Sequence, residues 1–366
     1  MTLPHDALAS NLRLGPRTPW RSRLAAVGVY LPERRMRSET LMRECHPLVR
    51  PLDLEAVTGI RERRICAENE DALTLATNAA RDCLRRSSLD GRDLEMVISS
   101  SISRMRAGLD FQYEPPLSLE LKTAIGAPEA IHFDLVNACA GMLTGVMVLD
   151  DFIRRGEIRR GMVVSGECLS NVALNAAADM DCLPNDQIAS LTVGDAGAAV
   201  ILERTDRDAP GFENSEFRTV AAFDDLCIGR PRQGGPGIAM LTKAKELQEI
   251  ALQEIVPFLR ELLSEHGGDI SQVQCFIPHQ TSSKTIELGT TYLCHELGVA
   301  PPRHVAITVC EYGNTASTTH FLALHHLLCD GKLGDGDRVL LLCYASGIVV
   351  GYSLLMLDGV AKNYGR

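Results

Sequence analysis

Apolar positions along the chain follow two rhythms that alternate. Residues 71–86 place Leu75, Ala79, Cys83 and Leu84 on one stripe, which predicts a helix. Met96-Val97-Ile98 is a short apolar run that predicts a buried strand, and residues 131–135 alternate like another. Residues 139–154 predict a helix rich in Leu, Val and Met, followed by strands at 162–164 and 198–202. The same plan then recurs. Residues 243–265 predict an amphipathic helix with Leu247, Ile250, Ile255, Phe258 and Leu259 on its apolar face. Cys275-Phe276-Ile277 predicts a strand that ends at Pro278. A strand at 305–309 precedes Gly313-Asn314 and a helix running to Leu328, and strands at 338–343 and 348–356 close the chain. Strands alternating with helices imply an α/β fold. The charged stretch 203–208, ending in Pro210-Gly211, is the expected join. This divides the chain into a flexible leader (1–22) and two halves (23–208 and 209–366).

The halves can be laid over one another. A strand ends at Ser100 in the first and at Ile277-Pro278-His279 in the second. Cys139 follows Ser100 by 39 positions, and Asn314 follows His279 by 35. Cys139 and Asn314 are therefore expected at equivalent helix starts, facing each other across a pseudo-twofold axis.

Composition narrows the function. Lys and Arg number 37 against 47 Asp and Glu, a net charge of −10, which argues against nucleic-acid binding. No apolar run reaches the ~18 residues of a membrane span, and the first residues carry no secretion signal. Twelve cysteines in such a chain imply reduced thiols and a cytoplasmic setting. There is no CxxC pair, P-loop, GxGxxG or GxSxG, so neither a cofactor nor a metal is expected. His320, His325 and His326 are close in sequence but lack a full ligand set.

Three clusters fall at strand ends, where α/β active sites collect. They are Asn137-Ala138-Cys139-Ala140-Gly141, Pro278-His279-Gln280 and Tyr312-Gly313-Asn314-Thr315. Cys139 stands at a helix start, where the helix dipole favours a thiolate and can bring a cysteine pKa from ~8.5 into the 3.5–7.5 range. Each residue alone has an ordinary use: a buried thiol, a loop imidazole, a helix cap. Together they supply one nucleophile and two neutral hydrogen-bond donors, a set suited to thioester chemistry.

These segments resemble the condensing enzymes of the thiolase superfamily, of the β-ketoacyl-acyl-carrier-protein synthase III type. The resemblance spans residues 24–357. It also takes in Thr58-Gly59-Ile60-Arg61-Glu62-Arg63-Arg64 and Val193-Gly194-Asp195-Ala196-Gly197-Ala198-Ala199, and all five marks occur in the family's order. It implies a five-layered αβαβα fold of two pseudo-twofold halves and a homodimer. It implies that Cys139 accepts an acyl group from a thioester. His279 and Asn314 then hold the carbonyl oxygen of a malonyl-type extender, whose enolate attacks the acyl-cysteine. Backbone N–H groups of Cys139 and Gly347 form the oxyanion hole.

The chain departs from the family at the nucleotide end of the substrate tunnel. Asp53, Val57 and Asn171 stand where the family has an adenine-stacking Trp and two Arg. This favours an acyl carrier protein over coenzyme A as the donor of the acyl thioester. Lys284, with the cluster Arg154, Arg155, Arg159 and Arg160, offers cations to an acidic carrier. It also points to specialised-metabolite rather than housekeeping fatty-acid synthesis. Glu114 is similar to the base of the head-to-head condensing branch, although a solvent-facing loop carboxylate is the preferred reading of it. Head-to-head condensation, and acyl transfer to an alcohol or amine, stay open as alternatives.

Overall fold

The computed structural model describes residues 9–12, 19–106, 110–266 and 270–364. In chain order the first half contains β1 (Ala9–Leu12), β2 (Trp20–Tyr30), β3 (Arg35–Arg37), α1 (Ser38–Glu44), α2 (Leu54–Thr58), β4 (Glu62–Arg64) and α3 (Ala72–Ser87). There follow β5 (Met96–Ser99), β6 (Met105–Arg106), β7 (Asp110–Phe111), α4 (Leu117–Ala124), β8 (Ile131–Asp134), α5 (Gly141–Arg154), β9 (Arg160–Glu167), α6 (Ser170–Asp179) and β10 (Ala196–Asp206). The second half contains β11 (Phe212–Val220), β12 (Cys227–Pro231), β13 (Ile238–Thr242), α7 (Ala244–His266), β14 (Cys275–Pro278) and α8 (Ser283–Leu297). It ends with β15 (His304–Val305), α9 (Val309–Tyr312), α10 (Thr319–Cys329), β16 (Arg338–Ala345) and β17 (Val349–Met356).

Two sheets carry the fold, ordered β2-β10-β9-β5-β8 and β1-β11-β17-β16-β14-β15. Leaving β1 aside, the two have one layout. In each, the first strand pairs antiparallel with the fifth, the fifth antiparallel with the fourth, and the fourth, second and third run parallel. The two-halves expectation is thus visible in strand order, although the halves share little sequence.

Side-chain alternation assigns the layers. Along β16, Val339, Leu341 and Cys343 enter one core with α5 and α10, while Leu340 and Leu342 enter another with α7 and α8. Along the first sheet, Met96, Ile98 and Val163 join the α5/α10 core, while Val97, Met162 and Val164 pack under α3 and α4. The order α3/α4, sheet, α5/α10, sheet, α7/α8 is the expected five-layered αβαβα arrangement. The two central helices are buried between two sheets, which explains why α10 is apolar on nearly every side.

Several local expectations change. The leader was expected to be flexible throughout; instead Ala9–Leu12 pairs antiparallel with β11, and β2 begins at Trp20. Its residues 1–8 and 13–18 lie outside the described residues. The strand expected over 305–309 is cut to His304–Val305, because Val309–Tyr312 turns into a helix. The hairpin of β12 and β13 had no forecast. It covers α6, with Arg232 paired to Asp179 at 2.6 Å. Among the described residues, no helix is long and apolar enough to cross a membrane.

Candidate active site

Cys139 sits on the short link between β8 and α5. Ala138 holds φ +42°, a left-handed conformation that an L residue adopts at a cost, so the chain turns sharply just before the thiol. Ala140 and Gly141 close the turn by donating N–H to the carbonyls of Asn137 and Ala138, each at 3.0 Å. No side chain caps α5, so its dipole is unscreened at the end beside Cys139. The thiol is half-buried. The expected lowering of its pKa does not result. Burial pushes the thiol up, and Cys227 and the Glu167 carboxylate add to the rise.

His279 follows β14 directly, and its N–H donates to the Leu342 carbonyl at 2.9 Å, extending the β14–β16 ladder by one residue. The side chain is 3% exposed, and Nδ1 is sealed without a partner. A buried N–H without an acceptor costs more than a bare lone pair, so the proton belongs on Nε2. Burial, and next to it the neighbouring His320, lower the pKa to about 3. His279 is therefore a neutral N–H donor at any ordinary pH. Gln280 ties this strand end to the next loop: its amide donates to the carbonyls of Pro278 and Ala306 and accepts from Thr308 N–H at 2.7 Å.

Asn314 is fixed by its own loop. Its Oδ1 accepts Ala316 N–H at 2.9 Å, which settles the amide orientation and leaves Nδ2 without an acceptor among the described residues. Ala316, at φ +48°, opens a single 3-10 turn, Ala316–Thr318, that packs against the start of α5. Ser317 in that turn bonds to Ser165 and to Glu167. The asparagine loop is thereby braced on one buried carboxylate. Glu167 also accepts the N–H groups of Ile102 and Ser103.

Tyr344 packs against the imidazole. Its ring meets His279 edge-on at 5.5 Å, its hydroxyl shares a 2.7 Å hydrogen bond with Thr281, and it lies within electrostatic reach of Cys139. Neither Thr281 nor Tyr344 stood out in the sequence beyond its motif. Gly347, three residues on, has φ +130°, a conformation open to glycine alone. A cleft enclosing about 590 Å³, part of it open to solvent, runs from His279 and Tyr344 between α7 and α8. Its walls include Leu252, Ile255, Ile286 and Leu293.

The remaining sequence candidates separate. Lys284 is exposed at the start of α8, and its ammonium bonds to the Ala56 carbonyl in α2. Asp53 caps α2 by accepting Ala56 N–H at 2.9 Å, and Val57 is 54% exposed beside it. The arginine cluster does not join this group. It lies at the far end of α5, about 20 Å of helix from the thiol. Arg154 is held by Asp150 and the Phe212 carbonyl, Arg155 by Asp151, and Arg160 by Glu203, which leaves Arg159 as its exposed remainder. Glu114 is exposed ahead of α4. The α10 histidines diverge: His320 bonds to Leu342, His325 faces Asp82 and Cys329, and His326 stacks on Tyr312. Cys66, Cys168 and Asp195 bring ligand-type atoms within 4.8 Å of one another. Asp195 already accepts three N–H groups and the Ser170 hydroxyl, so its oxygens are spent on hydrogen bonds.

Residues 133–221 match the family described as 3-oxoacyl-[acyl-carrier-protein] synthase III, and residues 263–357 match its C-terminal part, together about half of the chain. The chain belongs to the 3-oxoacyl-[acyl-carrier-protein] synthase III family. It is an acyl-transferring condensing enzyme of the thiolase superfamily. β-Ketoacyl-[acyl-carrier-protein] synthase III of Streptomyces lividans is 28% identical over 94% of this chain and 98% of its own. The Deinococcus deserti protein of that name is 29% identical over 95% and 91%. In fold, the synthase III of Aquifex aeolicus superposes with TM-score 0.77 at 24% identity, covering 92% of this chain and 99% of that one. Xanthomonas campestris OleA with bound lauric acid and lauroyl-CoA superposes with TM-score 0.79 at 23% identity, covering 92% and 99%.

Proposed function

We propose that this synthase III-family enzyme loads an acyl group on Cys139 and extends it with a malonyl-type thioester. Cys139 displaces the donor thiol and becomes an acyl thioester. The extender's thioester oxygen then lies against His279 Nε2–H and Asn314 Nδ2–H. Loss of CO2 leaves an enolate, its carbon attacks the acyl carbonyl, and Cys139 departs as thiolate. The oxyanion of each acyl step is held by backbone N–H groups of Cys139 and Gly347. The observation that carries this reading is the state of His279: a neutral imidazole, sealed on Nδ1, set against Tyr344, which lies within electrostatic reach of Cys139. Such a group donates a hydrogen bond to a developing oxyanion and holds no charge to trap the carboxylate.

An acyl carrier protein is the preferred donor. Asp53 is occupied as a helix cap and Val57 is apolar, so neither holds an adenine, while Lys284 presents a cation at the same rim. That departure supports work in specialised-metabolite synthesis. The twelve cysteines, all free, suit the reducing cytoplasm. A homodimer is supported by the open edge at β8, where Ile131 is 56% exposed and Val136, just past the strand, 55%.

A second reading, head-to-head joining of two acyl chains, draws on Glu114. It stands beside Tyr113, 76% exposed, on a loop whose partners are not in its own site, so a second subunit would be its destination. The deciding experiment separates the half-reactions by intact-protein mass. Cys139→Ala should take no acyl group. His279→Ala and Asn314→Ala should take it and fail to condense, with each donor worth roughly 10²–10³ in rate. Acylation at another cysteine overturns the assignment.

A further inference from the structure

His320 is a polar side chain turned into the interior from α10, between Thr319 and Phe321. It is fully buried, its Nδ1 has no partner, and a buried polar group with one unmet nitrogen is a net cost to the fold. A leucine or valine would fill the same apolar helix without that cost. Its position suggests what it contributes. His320 Nε2–H donates to the Leu342 carbonyl at 2.8 Å. That same oxygen accepts the backbone N–H of His279 at 2.9 Å. A carbonyl has two lone pairs, and here both are used, one by the backbone and one by the side chain of a histidine. The two rings lie 5.9 Å apart between centroids, inclined by 28°.

We propose that His320 is a positioning residue for His279: it shares the Leu342 carbonyl with the His279 backbone and stacks under its ring, so that His279 is held as an Nε2–H donor facing the cleft. The proposal rests on the reading of His279 as an oxyanion donor. Three consequences follow from the geometry. The bond to Leu342 assigns the His320 proton to Nε2, so its Nδ1 is a bare lone pair. His320 therefore offers His279 Nδ1 no proton and no charge. Stacking on His320 and the edge contact with Tyr344 limit rotation of the imidazole about its Cβ–Cγ bond. His279 then meets an enolate oxygen with no reorganisation, which is where preorganised donors gain their effect. His320 itself touches no substrate in this scheme.

The test compares His320→Phe, which keeps a ring and loses the donor, with His320→Gln, which keeps a donor and loses the ring. Acylation of Cys139 and condensation with a malonyl thioester are measured separately, with His279→Ala alongside. His320→Phe should acylate as the parent does and condense about 10–100-fold more slowly, the worth of one buried hydrogen bond. His320→Gln should regain most of that loss. Nitrogen-15 resonances of His279 should show the Nε2–H tautomer in the parent and in His320→Gln, and a mixture in His320→Phe. Condensation at the parent rate in His320→Phe, or equal losses in both half-reactions with no recovery in His320→Gln, overturns the proposal. Should His320→Phe not fold, a folded His320→Gln that condenses slowly while His279 keeps its Nε2–H tautomer overturns it as well. Normal condensation by His279→Ala would instead remove the oxyanion-donor reading on which the proposal stands.

Discussion

The carbonyl of Asn314 accepts the N–H of Gly194 at 3.0 Å, so the asparagine of the second half hangs on the backbone of the first. The Asn314 N–H returns to the Thr192 carbonyl at 2.8 Å, completing a two-way bridge between the halves. The approach is close enough to dictate sequence. A Cβ on residue 194 would stand 2.1 Å from the Tyr312 carbonyl oxygen. Buried Arg63 lies on the other side and bonds to the Leu191 carbonyl and to Ser38.

Gly194→Ala should therefore displace the asparagine loop. The expected outcome is a loss of about 1–3 kcal/mol in denaturant unfolding, the usual cost of overpacking, together with impaired condensation. Acylation of Cys139 should survive, because its loop is anchored elsewhere. Unchanged stability would mean that the two loops separate freely.

Cys139 should behave as a weakly acidic thiol in the absence of substrate. A raised pKa means the thiolate fraction, and with it the alkylation rate by iodoacetamide, climbs about tenfold per pH unit through pH 9. The sign is fixed by burial, which disfavours the charged form. A rate already level by pH 8 would show that the α5 dipole outweighs burial.

The donor's carrier can be tested at the tunnel rim. Acyl-carrier-protein thioesters should acylate Cys139 faster than the same acyl group on coenzyme A. The advantage should shrink with salt, because exposed charges are screened over ~8 Å at physiological ionic strength. Lys284→Glu should slow the carrier-protein reaction more than reaction with a pantetheine thioester. Equal effects on all donors would remove Lys284 from docking.

The β8 edge gives the last test. Ile131→Glu with Val136→Glu should shift sedimentation from twice the chain mass to the chain mass, since like charges would face each other across a paired edge. Glu114→Gln should leave malonyl-dependent condensation intact, whereas a general base would show a loss of roughly 10²–10⁴. That loss, with acylation retained, would favour head-to-head condensation.

Most of the architecture was legible in the chain because the buried elements advertise themselves. Strands covered on both faces read as apolar runs, and α3 and α7 carry a clear 3.6-residue stripe. Phe212–Val220 escaped notice because Glu213, Asn214, Glu216 and Arg218 break its apolar rhythm, although Phe212, Ser215, Phe217 and Val220 are buried. The motif order was enough to bring Cys139, His279 and Asn314 forward as candidates. What surrounds them was not legible, since it depends on contacts between distant segments. Tyr344 reaches Thr281 from 63 residues away, and His320 meets His279 across two layers. The arginine cluster misled for the opposite reason. Four cations close in sequence to the Cys139 helix lie at its wrong end, and three are neutralised by partners from other elements or the preceding turn.

The cleft between α7 and α8 bears on time as well as on fit. Its walls are almost entirely hydrocarbon, with Leu252, Ile255, Ile286 and Leu293 leaving water few places to bind. A thioester on a cysteine is a stored charge of chemical potential, and hydrolysis is its natural leak. Dry walls slow that leak. In the proposed reaction, an acyl chain reaching from Cys139 into these walls would give an intermediate whose lifetime can exceed the interval between encounters with the second substrate.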